Sequence, residues 1–254
     1  MNITAPPLPV TPPRPLVSAI GRGIGDYAMI RDGDRVLLGL SGGKDSLSLL
    51  HVLMQLRDKA PIRFELAACT VDPQSPEYDP SPLRDYVPTL GIPYFFESQP
   101  IVEQAQTHMQ GDSFCAYCSR MRRGILYRVA REQGYNVLAL AQHLDDLAET
   151  LMMSAFFGGK LRTMKVHYLN DAGDVRVIRP MLYVRERQTR DFARKADLPV
   201  VHENCPACFS APMQRFQMKA LLAEQEKAHP GLFASLLAAM RPLFGEPPVA
   251  AAHT

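Results

Sequence analysis

Six consecutive residues, Ser41-Gly42-Gly43-Lys44-Asp45-Ser46, stand between the apolar run Val36 to Leu40 and a second run containing Leu47, Leu49, Leu50, Val52 and Leu53. A buried strand turning through two glycines into a helix leaves backbone N–H groups free at the helix start. The helix dipole favours negative charge there, and glycine lets the backbone approach an anion closely. Lys44 adds a mobile positive charge and the serines add hydroxyl donors, so the chemistry is that of a nucleotide triphosphate. The loop is not a Walker A sequence. Asp45 stands where the magnesium-binding Ser or Thr would follow the lysine, and Leu38 takes the first glycine position, which disfavours a kinase or GTPase. Asp45 reads either as a carboxylate stabilising the helix start or as a magnesium ligand.

Gln142-His143-Leu144-Asp145-Asp146-Leu147-Ala148-Glu149-Thr150 follows a further apolar run, Val137 to Ala141. Carboxylates at the end of a strand beside a phosphate loop suit magnesium held against a triphosphate, which makes Asp146 and then Asp145 candidates. His143 reads equally as a capping or solvent-facing residue and as a functional one. Two further pairs, Cys115-x-x-Cys118 and Cys205-x-x-Cys208, each precede an amphipathic stretch. Paired thiolates at helix starts in a reducing compartment favour a metal site over a disulfide framework, and spacing alone points to a structural zinc. Cys69, within an apolar strand, reads as a core residue. Arg120, Arg122, Arg123, Arg128 and Arg131 form one basic group and Arg185, Arg187, Arg190, Arg194 and Lys195 another; Arg122 and Arg123 are the better candidates for contact with RNA or ATP.

These residues need a scaffold, and the pattern supplies one: short apolar runs alternate with amphipathic segments, as in a parallel sheet flanked by helices, an α/β fold. Expected strands are 35–40, 64–71, 94–97, 137–141 and 175–178. Expected helices are an entry helix through Leu16, Ile20, Ile24 and Tyr27, then 45–57, 82–90, 119–133, 144–157, 185–196, 213–226 and 232–240. The organisation is a proline-rich tail over 1–15, one domain over 16–244 and a tail over 245–254. In this chain of 254 residues with a net charge of +2, an RNA surface must come from local clustering of cations. The first residues do not read as a secretory signal and no stretch suits a membrane span, so a cytoplasmic location is expected.

The phosphate loop resembles the PP-loop of the ATP pyrophosphatase superfamily. That resemblance implies a Rossmann-like fold of the HUP, or adenine nucleotide alpha hydrolase, type, in which Ser41, Gly42, Gly43, Lys44, Asp45 and Ser46 bind ATP and pyrophosphate is released. It also implies adenine contacts after the second strand, at Thr70, Val71 and Asp72. The superfamily shows Gly-His-x-x-Asp-Asp where this chain has Ala141-Gln142-His143-Leu144-Asp145-Asp146.

Cys115-x-x-Cys118-Ser119-Arg120-Met121-Arg122-Arg123-Gly124, then Phe157-Gly158-Gly159-Lys160-Leu161, then Ile178-Arg179-Pro180 are similar to the tRNA 2-thiocytidine synthetase family. That resemblance implies ATP-dependent thiolation of tRNA at cytidine 32, with Lys44, Asp45 and Asp146 in catalysis. The cofactors it implies are Mg²⁺ and a [4Fe-4S] cluster on Cys115, Cys118 and Cys205, with Cys208 as the alternative third ligand. The partners it implies are tRNA, a cysteine desulfurase as sulfur donor, and a second copy in a homodimer. Where the family commonly has Gly-Ser-Gln after the last cysteine, Phe209-Ser210-Ala211 follows here. Two other readings stand beside it: the same chemistry on another tRNA base or a small molecule, and a zinc-stabilised RNA-binding protein without turnover.

Overall fold

The structure, a computed structural model, describes residues 10–108, 114–201 and 214–245. The second cysteine pair and most of both expected tails lie outside these residues. Six strands form one sheet: β1 (Asp34–Gly39), β2 (Phe64–Asp72), β3 (Tyr94–Ser98), β4 (Val137–Ala139), β5 (His167–Leu169) and β6 (Arg176–Ile178), in the order β3-β2-β1-β4-β6-β5. All neighbours are parallel except β5 and β6. The helices are α1 (Arg14–Asp26), α2 (Lys44–Lys59), α3 (Ser81–Tyr86), α4 (Ile101–His108), α5 (Phe114–Glu132), α6 (Leu144–Gly158), α7 (Glu186–Lys195), α8 (Gln214–Ala228) and α9 (Leu232–Met240). None of these is long and apolar enough to cross a membrane.

Alternation along each strand sends side chains to two cores. On one face Val36 and Leu38 pack with Leu47, Leu50 and Leu53 of α2. On the other, Leu37, Ala67, Cys69 and Leu138 pack with Ile125, Leu126 and Val129 of α5. From β1 the chain winds outward through β2 and β3, then returns to place β4 on the other side of β1. A crevice opens at such a reversal, beyond the carboxyl ends of the strands. The segments after β1 and β4, which carry the phosphate loop and Asp146, flank it.

The expected elements are present with shifted ends. α1 begins inside the expected tail, because Pro15 lies in its first turn, where a missing N–H costs nothing. The expected helix over 82–90 divides into α3 and a 3-10 turn, Val87–Leu90, which ends at Gly91 in the left-handed region (φ 69°). α5 starts at Phe114, five residues before the sequence reading placed it, so Cys115 and Cys118 lie within its first turns. β5 and α4 were not foreseen.

Candidate active site

The loop after β1 is held by its own hydroxyls. Ser46 Oγ donates to Gly43 O (3.0 Å) and accepts from Gly42 N (3.2 Å), while Ser41 Oγ accepts from Gly43 N (3.3 Å). Gly42 has φ +87°, and a Cβ there would lie 2.8 Å from Leu83 Cδ1 and 3.0 Å from Val201 Cβ. Conformation and packing therefore both require glycine. Gly43 caps α2 without a side-chain hydrogen bond, so the first N–H groups of the helix remain available to an anion.

Asp45 lies in the first turn of α2. One of its oxygens accepts from Thr189 Oγ1 (2.5 Å) and the other from Lys44 Nζ (2.9 Å). Lys44 Nζ also lies 3.1 Å from Glu186, which Lys219 holds in turn at 2.6 Å. Burial raises the Glu186 carboxyl, but hydrogen bonds from Lys219 and Lys44 outweigh it and bring the group down to about 2. Burial lowers Lys44, and the two carboxylates reverse that and raise it.

His143 is buried and caps α6. Its Nδ1 accepts from Asp146 N (3.3 Å), while Asp146 Oδ2 accepts from His143 N (3.0 Å), a reciprocal cap. The capping reading is thus observed and the solvent-facing one is not. His143 Nε2 lies 3.7 Å from Asp45 Oδ1, so the imidazole stands between Asp45 and Asp146. Asp145 turns the other way. Its carboxylate accepts from Arg185 Nε (3.1 and 3.2 Å) and from Glu186 N (2.8 Å), which ties α6 to α7. Sequence reasoning missed two partners from α8: Arg215 lies 3.1 Å from Glu149 and 3.6 Å from Asp146, and Lys219 holds Glu186. No local pattern signals them, because the pairs bridge residues distant in the chain. Burial, then the nearby Asp146 charge, raises the Glu149 carboxyl.

A cavity of about 420 Å³ joins these parts. Ser41, Gly43, Asp45 and Ser46 line one side, Gln142 and Asp146 a second, Cys69 and Val71 a third, and Ser119, Arg122, Arg123 and Arg179 the remainder. Cys69 is fully buried, and burial pushes its thiol up to about 12. Thr70 faces away from the cavity and donates to Leu40 O (2.9 Å), while Asp72 caps a turn by accepting from Gln74 N (2.8 Å). The period of two that brings Cys69 and Val71 to the cavity turns the Thr70 side chain from it. Lys44 lies at the edge of the loop, toward Glu186 rather than on the cavity wall.

Arg179 is 4% exposed and follows β6. Its Nε donates to Gln142 Oε1 (2.9 Å) and its Nη1 to Lys165 O. Burial lowers its pKa, and among the described residues neither Arg179 nor Arg123 has a carboxylate within ion-pair distance. Arg179 therefore brings to the cavity wall a positive charge held by neutral acceptors. Ser119, Arg122, Arg123 and Leu126 follow helical spacing along α5. Cys118, four residues before Arg122, starts that stripe, and Cys115 lies one turn earlier.

Two pieces of this site suit a cofactor. Asp146 and Asp45 stand either side of the cavity mouth near the loop, and Mg²⁺ is commonly held by one or two carboxylates together with phosphate oxygens. Among the described residues, no three His, Cys, Asp or Glu side chains form a metal site. The thiols suit an iron-sulfur cluster by donor chemistry. The segment carrying the second pair is flanked by two residues bonded to the site: Val201 N donates to Gly42 O (2.9 Å), and Arg215 reaches Asp146.

The family model described as a PP-loop domain matches residues 18–208. The tRNA-cytidine(32) 2-sulfurtransferase of Geobacter sulfurreducens is 42% identical over 224 residues, covering 88% of this chain and 87% of the relative. The enzyme of the same name from Pelobacter propionicus is 43% identical over 228 residues, covering 89% and 85%. In fold, the chain is similar to the U34-tRNA thiolase NcsA from Methanococcus maripaludis, solved with its [4Fe-4S] cluster. The TM-score is 0.71 at 24% identity, over 90% of this chain and 78% of the other. The chain belongs to the PP-loop family and, within it, to the tRNA-cytidine(32) 2-sulfurtransferases.

Proposed function

We propose that this chain is an ATP-dependent tRNA sulfurtransferase that replaces O2 of a cytidine, at position 32, by sulfur. The observation that carries the reading is one cavity in which a PP-loop faces Arg179 and, from the helix that also carries Cys115 and Cys118, Arg122 and Arg123. Family membership supports the substrate.

The cytosine carbonyl oxygen is a poor leaving group, and adenylation makes it a good one. O2 attacks the α-phosphorus and pyrophosphate leaves; a sulfur nucleophile then adds at C2 and AMP departs with the original oxygen. The first N–H groups of α2, with Ser41 and Ser46, receive the β- and γ-phosphates, and Lys44 exchanges Glu186 for phosphate oxygens. Asp146 and Asp45 would hold Mg²⁺, whose charge offsets that of the triphosphate. Cys69 and Val71 place the adenosine, with backbone contacts over 70–72. Arg122, Arg123 and Arg179 orient the anionic groups that pass through the opposite wall.

Cys115, Cys118 and Cys205 would hold the [4Fe-4S] cluster, with Cys208 spare, and such a cluster supplies an iron position able to carry sulfide. With sulfide as the nucleophile the exchange is redox-neutral, since a carbonyl becomes a thiocarbonyl; persulfide sulfur from a desulfurase is first reduced to sulfide by two electrons from a thiol reductant. A cysteine desulfurase as donor, a homodimer, a cytoplasmic location and the single domain over 16–244 belong to the same proposal.

Labelled ATP, incubated with the anaerobically reconstituted protein and tRNA, tests the nucleotide chemistry. AMP and pyrophosphate in equal amounts are expected, and ADP as product would overturn the PP-loop mechanism.

A further inference from the structure

The segment from the end of α6 to the cavity has two features that the chemistry above leaves unused. Phe156 and Phe157 are 56% and 50% exposed, with ring centroids 6.5 Å apart and planes at 80°, and Leu161 is 72% exposed. Lys160, Arg162 and Lys165 are exposed beside them, and among the described residues none of the three has a carboxylate within ion-pair distance.

The backbone is firmly set, so these side chains are not on an unstructured loop. α6 ends at Gly159 in the left-handed region, Ser154 Oγ donates to Lys160 O (2.7 Å) and Lys160 N to Ser154 O (3.1 Å). The chain then returns along α6: Thr163 Oγ1 donates to Leu147 O (2.7 Å), and the next residue, Met164, lines the cavity. Continuing, Lys165 O accepts from Arg179. The ridge is therefore continuous with the wall that carries Arg179.

Exposed aromatic rings, interleaved with cations that lack carboxylate partners, match the surface of an unpaired polynucleotide. Its bases offer flat faces for stacking, and its backbone offers one negative charge per residue. We infer that the ridge formed by residues 156–165 docks the unpaired loop of the RNA substrate, with bases against Phe156 and Phe157 and backbone phosphates on Lys160, Arg162 and Lys165. A loop seated there leads directly along Thr163 and Met164 to the cavity, where one base is to be turned in. This rests on RNA being the substrate, as proposed above. A protein surface of the same area would also cover the rings, but it would need carboxylates to answer the three cations.

The test uses full-length protein and an unmodified tRNA transcript, with RNA affinity measured over a range of salt concentrations. Phe156→Ala and Phe157→Ala are each expected to weaken RNA binding roughly 5- to 150-fold, the range for one stacked base. Lys160→Gln with Arg162→Gln should reduce the slope of log affinity against log salt by about 1.5 to 2. ATP affinity and the unfolding midpoint should stay unchanged, since none of these side chains lines the cavity or is buried. Unchanged RNA affinity in all variants would overturn the proposal. So would a change of sedimentation from dimer to monomer with RNA affinity retained, which would assign the ridge to a second copy. Wild-type protein that binds no tRNA would refute the proposed function itself, a result distinct from either.

Discussion

At the scale of residues, the two adjacent aspartates after β4 have different work. Asp145 is enclosed by Arg185 and Glu186 N, while Asp146 lines the cavity and closes the cap of α6. Asp146→Asn keeps an oxygen to accept from His143 N and loses only the charge. Turnover should therefore fall roughly a hundred-fold or more, with stability changed by less than about 1 kcal/mol; steady-state rates and denaturant unfolding measure both. Lys44→Ala should abolish AMP formation, which labelled ATP reads directly. For the cysteines, iron and acid-labile sulfide per chain after anaerobic reconstitution should be lost in Cys115→Ala, Cys118→Ala and Cys205→Ala and kept in Cys208→Ala. Loss in all four would contradict an open iron position. The phosphate loop and Asp146, which line one cavity, stand out in the sequence because each is a local pattern. The roles of Asp145, Glu149, Glu186, Arg215 and Lys219 do not, because they arise from ion pairs between α6, α7 and α8 that no spacing records.

At the scale of elements, the sheet depends on a buried charge network at the start of its central strands. Arg176 of β6 pairs with Asp34 of β1, which also accepts from Asn136 Nδ2 (2.9 Å) just before β4. Removing one partner leaves the other charge buried. Asp34→Ala should cost about 3–5 kcal/mol in denaturant unfolding, whereas an Asp34→Ala, Arg176→Met double variant should recover part of it. Most strands were readable because apolar runs such as Val36 to Leu40 are continuous where both faces are covered. β5 was not, since His167, Tyr168 and Leu169 form a three-residue antiparallel edge strand whose pairing with β6 comes from the fold. α4 was missed for a related reason: Ile101, Val102 and Ala105 are too few to establish a period. Helix starts were read late at α5 because Cys115 and Cys118 carry weak helix preference, and tertiary packing settles the matter.

At the scale of the whole molecule, ion pairs and buried groups fix how stability responds to acid. His51 is buried against Tyr86 (3.0 Å), and burial lowers its pKa to about 4. The unfolded chain, with histidine near its ordinary value of about 6.5, binds the proton first. Stability is therefore full above about pH 6.5 and declines as the pH falls toward 4. Glu186, held near 2, adds a second loss as the pH falls from about 4.5 toward 2. Unfolding free energy measured against pH should show both windows, and His51→Gln should reduce the upper one, leaving the share of His167, which burial also lowers.

The same molecule is organised around one crevice, with the nucleotide loop on one wall and the helix of Arg122 and Arg123 on the other, and the proposed chemistry passes between them. Nucleoside mass spectrometry of tRNA tests it most directly, after incubation with the reconstituted protein, ATP and sulfide under anaerobic conditions. 2-Thiocytidine is expected, with oligonucleotide fragments placing it at position 32, formed with AMP in equal amount and absent without ATP or with Lys44→Ala. ATP converted to AMP while every tRNA cytidine stays unthiolated would contradict that chemistry.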